Sequence, residues 1–335
     1  MAINLGLIGA GGMGSKWARA VSGVRSVRLF VVADKDIAKA ESLASIYKNC
    51  QAVSDWKAIL KHPRISAVII ATPHKFLAPI SRSAMLAKKH VLCEKPGGVN
   101  VEEIAAARAA AKKSGVRYMI GFNHRYHPGF LKAKDLVDRG RIGDILFVRA
   151  RYGFGGRPGY DKEWRFNKRL SGGGELIDQG VHMIDLARWF LGGFSEAIGF
   201  TPNLFWKNKS GLEDNGFVLL QTPAGKVATI HVSLTQWKWM HSFEIMGSAG
   251  YLIIEGLDTR YGGPERLIIG KRSFTPGQSP RERLIKFNQE TAEDSLKREL
   301  IEFVSAIKTR RQPLTTGTDA YEALKIVERI YAQNQ

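Results

Sequence analysis

The chain has 335 residues, with 50 Lys and Arg against 31 Asp and Glu for a net charge of +19, and only two cysteines. At 44% apolar and 24% charged residues it has the composition of a globular protein with room for one large or two ordinary domains, which excludes a disordered chain or a peptide module. No run approaches the roughly 18 uninterrupted apolar residues of a membrane helix, and the opening text MAINLGLIGAGGMG turns to glycine too early for a signal peptide. Cys50 and Cys93 are too few for a disulfide framework or a CxxC zinc site, so a cytoplasmic protein without a bound metal is expected.

Residues 3–9 (INLGLIG) form an apolar run that ends in glycines and leads into SKWARAVSGV, a strand, a turn and a helix. VRLFVVAD (27–34) predicts a second buried strand, IAKAESLASIY a helix, AVIIAT (67–72) a third strand, and PISRSAMLAKK a helix before the strand HVLCEK (90–95). VEEIAAARAAAKKSG is helical text, and RYMIGF (117–122) is a further strand. Buried strands alternating with helices imply right-handed crossovers and a parallel sheet, so residues 1–121 are expected to form a doubly wound α/β Rossmann domain.

The rhythm then changes. After helical text between Pro128 and Arg139 come ILFVRARYGF, EAIGFTPNLFW, FVLLQT, KVATIHVSL, SFEIMG and YLIIEG, strands with no helices between most of them. TPAGK (222–226) and GSAG (247–250) read as hairpin turns, which gives residues 122–335 a large, mostly antiparallel sheet with flanking helices. IDQGVHMIDLARWFLG (177–192) has helical apolar spacing, and the chain closes with the helices DSLKRELIEFVSAIKT and DAYEALKIVERIY, the last expected to pack back on the first domain. Residues 1–121 carry 19 basic and 7 acidic side chains, a net +12. This charge suits anionic ligands, but its basic residues (Lys88, Lys89, Lys112, Lys113) sit mostly on helix faces without aromatic interleaving, so it reads first as a solvated surface and disfavours nucleic acid.

Gly9, Gly11 and Gly14 match GxGxxG between the first strand and its helix, with Gly12 and Met13 inside the turn. There the glycines permit a tight turn, backbone approach to a pyrophosphate and close helix packing, and the helix N-terminus attracts phosphate. A glycine-rich turn in another α/β protein would carry the glycines alone. Here Asp34 also ends the second strand, placed to accept hydrogen bonds from a ribose diol and to repel a 2′-phosphate; Lys35 beside it pulls weakly the other way. NAD is therefore expected over NADP. Glu94-Lys95-Pro96 follows the strand HVLC at the carboxyl edge of the sheet, where such folds bind ligands, so Lys95 reads either as a group that polarises a substrate oxygen or as a surface lysine paired with Glu94. In GGGELIDQGVHMID (172–185), Asp178 and His182 stand four apart on one helix face. They suit an acid/base pair; metal binding, or a cap plus a core histidine, would use the same spacing.

Together, GLIGAGGMG, VVAD, ATPHKFLAPI, EKP, GFNHRYHP, GRIGDI, WRF before GGGELIDQGVH, and SFEIMGSAGYLIIEG resemble the glucose–fructose oxidoreductase and inositol dehydrogenase family (Gfo/Idh/MocA) over nearly the whole chain. The resemblance implies a nicotinamide-binding Rossmann domain and a sheet domain that carries substrate and often forms the subunit interface. It assigns Lys95, Asp178 and His182 to the catalytic set. Gly9, Gly11, Gly12, Met13 and Gly14 would line the dinucleotide, Asp34 and Lys35 its ribose, and Thr72, Pro73, His74, Glu94 and Lys95 its nicotinamide end. Asn123, Arg125, Trp164 and Arg165 match positions that line the substrate cleft. One departure is Gly97-Gly98 after EKP, where relatives more often place a bulkier apolar residue.

The chemistry implied is hydride transfer between nicotinamide and a secondary alcohol of a sugar, inositol or nucleotide sugar, with His182 as general base, Lys95 on the developing alkoxide and Asp178 positioning. The basic charge suits anionic substrates, and neutral polyols fit as well. Two alternatives use the same framework: a non-catalytic dinucleotide-binding sensor, which the intact Lys95, Asp178 and His182 set argues against, and an enzyme using transient redox for elimination or hydrolysis. The exposed face of the sheet needs cover, so a homodimer or homotetramer through that sheet is expected.

Overall fold

The apolar runs that open the chain become a six-stranded parallel sheet. The computed structural model describes residues 2–207, 210–257, 261–275, 280–288 and 291–334. The elements run β1 (Ile3–Ile8), α1 (Gly12–Ser22), β2 (Val27–Ala33), α2 (Ile37–Ala44), β3 (Gln51–Val53), α3 (Lys57–Lys61), β4 (Ala67–Ile70), α4 (His74–Leu86), β5 (His90–Glu94), α5 (Val101–Ser114) and β6 (Tyr118–Gly121). The strand order is β3-β2-β1-β4-β5-β6, and every pairing is parallel. The order reverses direction between β1 and β4, which opens a crevice at their carboxyl ends. Leu5, Val68, Ile69 and Leu92 are fully buried because helices cover both faces of a parallel sheet, which explains why these strands read as unbroken apolar runs.

Beyond β6 come α6 (Pro128–Asp138), β7 (Ile145–Gly153), the short α7 (Lys168–Ser171), α8 (Val181–Leu191), β8 (Glu196–Phe200), β9 (Asn215–Gln221), β10 (Val227–Ser233), β11 (Met240–Gly247), β12 (Gly250–Glu255), β13 (Glu265–Lys271), β14 (Glu282–Phe287), α9 (Ala292–Lys308) and α10 (Gly317–Gln333). The strands form one sheet in the order β14-β13-β12-β11-β7-β10-β9-β8. All its pairs are antiparallel except β7 with β10. The expected turns at 222–226 and 247–250 join β9 to β10 and β11 to β12. One face of the sheet, with Val148, Ala150, Val218, Leu220, Phe243 and Ile245, is buried, and α8 packs on it. The other face is apolar yet exposed at Ile198, Phe200, Phe217 and Leu219.

The fold class is the expected pairing of a doubly wound parallel sheet with a large, mostly antiparallel one, and the differences are local. The text EAIGFTPNLFW supplies a strand only to Phe200, because the buried carboxylate of Asp214 accepts the N–H groups of Leu204, Phe205 and Trp206, each at 2.8 Å, and curls that stretch into a loop. The short β3, and the charged strands β13 and β14 that end the large sheet, were not expected. The chain divides into two compact units: residues 1–123, 169–172 and 293–321 form the first, and 124–168, 173–292 and 322–335 the second. The boundary expected at 121 falls beside Asn123, and 293–321 returns to the first unit, where the Thr315 hydroxyl donates to the Ile120 carbonyl at 2.7 Å.

Candidate active site

In the first unit the turn after β1 is built for close approach. Gly9 sits at φ +101°, a left-handed conformation that suits glycine, and a side chain there would meet the Ala71 backbone that follows β4. A Cβ on Gly14 would run into the Gly9 carbonyl, whereas one on Gly11 or Gly12 would meet open space. The turn is packed tightly on its inner side and open on its outer side. Gly11 caps α1 without a side chain, so the first N–H groups of that helix lack the acceptors that only the following turns possess. Asp34 closes the arrangement: its carboxylate accepts the Ala10 N–H at 2.8 Å and the Asp36 N–H at 3.0 Å, which fixes it beside the glycine turn, while Lys35 is exposed.

The loops after β4 and β5 carry the next group. Thr72 and Pro73 precede α4, and the Thr72 hydroxyl is buried with no partner among the described residues. His74 opens α4, is buried, and its Nδ1 lies 2.9 Å from the Ser171 carbonyl. Glu94 ends β5 with its carboxylate turned inward, accepting from the indole Nε1 of Trp17 at 2.7 Å. Burial raises its pKa, against the Trp17 hydrogen bond and the charges of Lys95 and Lys16. Lys95 follows at the carboxyl edge, half-buried. The Lys95–Pro96 bond is cis and Gly97 has φ +88°. A Cβ on Gly97 would crowd the Cδ1 atoms of Ile104 and Ile120, and one on Gly98 would press on Ala78 and Glu103, so this sequence needs two glycines where its loop folds back onto α4 and α5. Asn123, at the end of the same segment, reaches Ser295 at 3.4 Å.

The second unit holds Asp178 and His182. The segment that reads as one helix from 177 starts as a π-helical turn, Leu176–Gly180, and becomes α8 at Val181. Turns of this kind re-aim side chains and recur at functional sites. Asp178 is buried, and its Oδ2 accepts the Arg165 Nε at 2.9 Å. Arg165 also donates to Glu163 at 3.1 Å and lies over the Trp164 ring at 4.8 Å. Burial opposes the Arg165 charge, but Asp178, Tyr160 and Glu163 outweigh it and push its pKa further up. His182 is buried with its ring stacked on His124, centroids 4.0 Å apart. His127 and His241 meet His124 edge-on, at 5.8 and 5.9 Å. Burial, with His127 nearby, pushes His241 down to about 3, so that ring is neutral. His127 Nδ1 lies 3.1 Å from the buried Glu265.

The expected substrate residues therefore divide. Arg165 is bonded to Asp178, as a site there would require, and the Trp164 ring lies against the Arg165 guanidinium. Arg125 is buried in a two-point ion pair with Asp185, at 2.7 and 2.5 Å, and its guanidinium is committed to the interior of this unit. The sequence reading missed His124, Glu163 and Glu265; the histidines of GFNHRYHP were the available signal. Among the described residues no group of three or more His, Cys, Asp or Glu side chains is arranged to hold a metal ion, and no helix is long and apolar enough to cross a membrane.

Comparison with known proteins decides the family. Residues 3–122 match the family model described as an oxidoreductase family, NAD-binding Rossmann fold, and residues 130–253 match that of the GFO/IDH/MocA C-terminal domain. The chain belongs to the GFO/IDH/MocA oxidoreductase family. It is 29% identical over 332 residues to inositol 2-dehydrogenase of Rhizobium meliloti, covering 98% of this chain and 96% of that protein. It is 35% identical over 237 residues to levoglucosan dehydrogenase of Pseudarthrobacter phenanthrenivorans, covering 67% of this chain and 59% of that one. A solved structure of levoglucosan dehydrogenase in complex with NADH superimposes with a TM-score of 0.90 at 25% identity, over 100% of this chain and 98% of that one. The resemblance read from the motifs is thus membership of the GFO/IDH/MocA family. The first unit suits the NAD that this family binds: an open backbone cradle at Gly11 and Gly12, a helix N-terminus, a fixed carboxylate at Asp34 and an unpartnered buried hydroxyl at Thr72.

Proposed function

We propose that the protein is an NAD-dependent dehydrogenase of a secondary alcohol on a sugar, inositol or nucleotide sugar, with Lys95, Asp178 and His182 as its catalytic set. The observation that carries this reading is the ion pair of Asp178 with Arg165 one short step along the chain from His182. Held by the glycine turn and Asp34, the dinucleotide would supply the hydride acceptor or donor. His182 takes the hydroxyl proton, since an imidazole nitrogen can both accept a proton and return it. Lys95 donates to the same oxygen and stabilises its developing negative charge. Asp178, its carboxylate fixed by Arg165, orients the substrate hydroxyl, and Trp164 offers an aromatic face to the sugar ring. The relatives named above as inositol and levoglucosan dehydrogenases support this substrate class.

Asp34 favours NAD, because a 2′-phosphate beside its carboxylate would bring like charges within hydrogen-bonding distance. Outside the site, the exposed apolar face of the large sheet carries a concavity of ≈ 660 Å³ bordered by Phe200, Phe217, Leu219 and Arg149. We propose that a second copy of this chain covers it, forming a homodimer or homotetramer, and that the protein works in the cytoplasm. The test is turnover of NAD+ with a panel of polyols, sugars, sugar acids and nucleotide sugars. Lys95→Ala and His182→Ala should each lower kcat by roughly 10²-fold or more, with dinucleotide affinity retained. Near-native rates in both variants would overturn the assignment.

A further inference from the structure

We infer that Glu213 and Tyr331 are positioning residues that set the placement of Asp178 and His182. The inference rests on the catalytic reading above but on different atoms. Glu213 precedes β9, Tyr331 lies near the end of α10, and the segment they hold is the glycine turn 172–174 that enters the π-helical turn. The buried Glu213 carboxylate accepts three hydrogen bonds. Its Oε2 takes the Gly174 N–H at 3.0 Å, and its Oε1 takes the Leu176 N–H at 3.2 Å and the Tyr331 hydroxyl at 2.6 Å. Its own carbonyl accepts the Glu175 N–H at 3.1 Å. Main chain and side chain of one residue thus hold three successive positions, Gly174, Glu175 and Leu176, where the glycine turn passes into the π-helical turn. The next link is direct: the Gly174 carbonyl accepts the Asp178 N–H at 3.1 Å. Glu213, Gly174 and Asp178 are joined by two hydrogen bonds through the N–H and the carbonyl of one residue, and Arg165 fixes Asp178 from the other side.

The glycines of the turn have a steric cause here. A Cβ on Gly173 would occupy the space of the Tyr331 hydroxyl, and one on Gly174 the space of the Glu213 backbone and carboxylate. The clamp and the turn therefore fit only together. A turn meant solely to connect two elements could be held by backbone hydrogen bonds, without an expensive buried carboxylate. When ionised, the carboxylate sets a negative charge against the first N–H groups of the segment that carries both Asp178 and His182, where the helix dipole favours it. Burial raises its pKa, and the hydrogen bonds from Tyr331, Leu176 and Gly174 oppose that rise, because an ionised carboxylate only accepts. Such support holds a reacting group within a few tenths of an ångström of its working position, and a displacement of about 1 Å costs on the order of 10²-fold in rate.

The experiment uses the full chain and three proteins: native, Tyr331→Phe and Glu213→Gln. Each is assayed with NAD+ and the best substrate of the panel above, far below its melting temperature. We expect kcat to fall about 10-fold in Tyr331→Phe and about 10²-fold in Glu213→Gln, with NADH affinity by fluorescence within twofold of native. A lowered melting temperature with kcat within twofold of native in both variants would overturn the inference, since it would make the clamp a device of stability alone. Tyr331→Phe removes a single oxygen atom, so it decides the matter if Glu213→Gln does not fold. If the native protein turns over no member of the panel, that result counts against the dehydrogenase reading, and the clamp is then tested by NMR of the 15N-labelled imidazoles, with the His182 signals assigned from His182→Asn. A changed His182 titration midpoint in Tyr331→Phe supports positioning; an unchanged one refutes it.

Discussion

Glu299 lies on α9 with no exposed surface, and neither carboxylate oxygen has a partner among the described residues. Burial pushes its pKa well above the usual range, and the charge of Glu94 pushes it the same way. The folded chain therefore keeps the Glu299 proton at pH values where the unfolded chain has released it. The stability contributed by that proton is fully present below about pH 4.3, the ordinary value for glutamate, and is lost as the pH rises toward the raised value in the folded state. While the folded chain keeps that proton and the unfolded chain has lost it, each pH unit costs about 1.36 kcal/mol. Glu299→Gln keeps the shape and cannot titrate, so this loss should vanish from its pH profile. For a unit of this size 1 kcal/mol moves Tm by about 2–4 °C, so within that window the native Tm should fall relative to that of the variant by about 3–5 °C per pH unit. Thermal melts of both proteins by circular dichroism at pH 5, 6, 7 and 8 make the measurement. Parallel Tm curves would show that Glu299 is not protonated in the folded protein and would refute the reasoning.

Two further expectations follow from the cofactor turn and the sheet. Native protein should bind NAD more tightly than NADP; Asp34→Ser should narrow or reverse that preference by at least about 10-fold, because it removes a like-charge repulsion worth several kcal/mol, while Lys35→Ala, which alters an exposed ammonium worth about 1 kcal/mol, should leave it intact. Fluorescence titration of both dinucleotides checks this, and tighter NADP binding by the native protein would show that Asp34 does not face the ribose. Phe217→Asp, which places a charge in the middle of the exposed apolar face, should convert an oligomer to a monomer in sedimentation equilibrium; an unchanged mass would mean that the face is not the subunit contact.

The parallel sheet was legible because each of its buried strands is a continuous apolar run bounded by glycine or a helix, so period and position agree. The glycine turn with Asp34 was legible for the same reason, since motif and sheet edge coincide. The second sheet was read in part. Its last strands β13 and β14 carry Arg266, Arg283 and Lys286; on β14, at the edge of the sheet, such charges keep a strand from pairing with other chains, and in both strands they hide the apolar pattern in sequence. Asp178 and His182 were visible as a spacing, but the π-helical turn between them was not, because it depends on how the segment is held at its start. Glu213 contacts residues 37 and 39 positions upstream and Tyr331 lies 118 positions downstream, so no local pattern could join them. Arg125 shows the converse. A motif position named it for substrate, and only three-dimensional placement reveals Asp185 holding it.

The routing of the chain between the two units has a consequence for synthesis. The first unit needs residues 293–321: Leu296, Leu300, Phe303 and Val304 of α9 are buried, and Thr316 bridges to Met119 of β6. A nascent chain that has left the ribosome only as far as β6 holds the whole parallel sheet yet lacks the helix that closes it. The nucleotide-binding half is the first to be translated and among the last to be finished, so a fragment cut after residue 123 should be poorly soluble, and a C-terminal truncation through α9 should damage the dinucleotide domain some two hundred residues upstream.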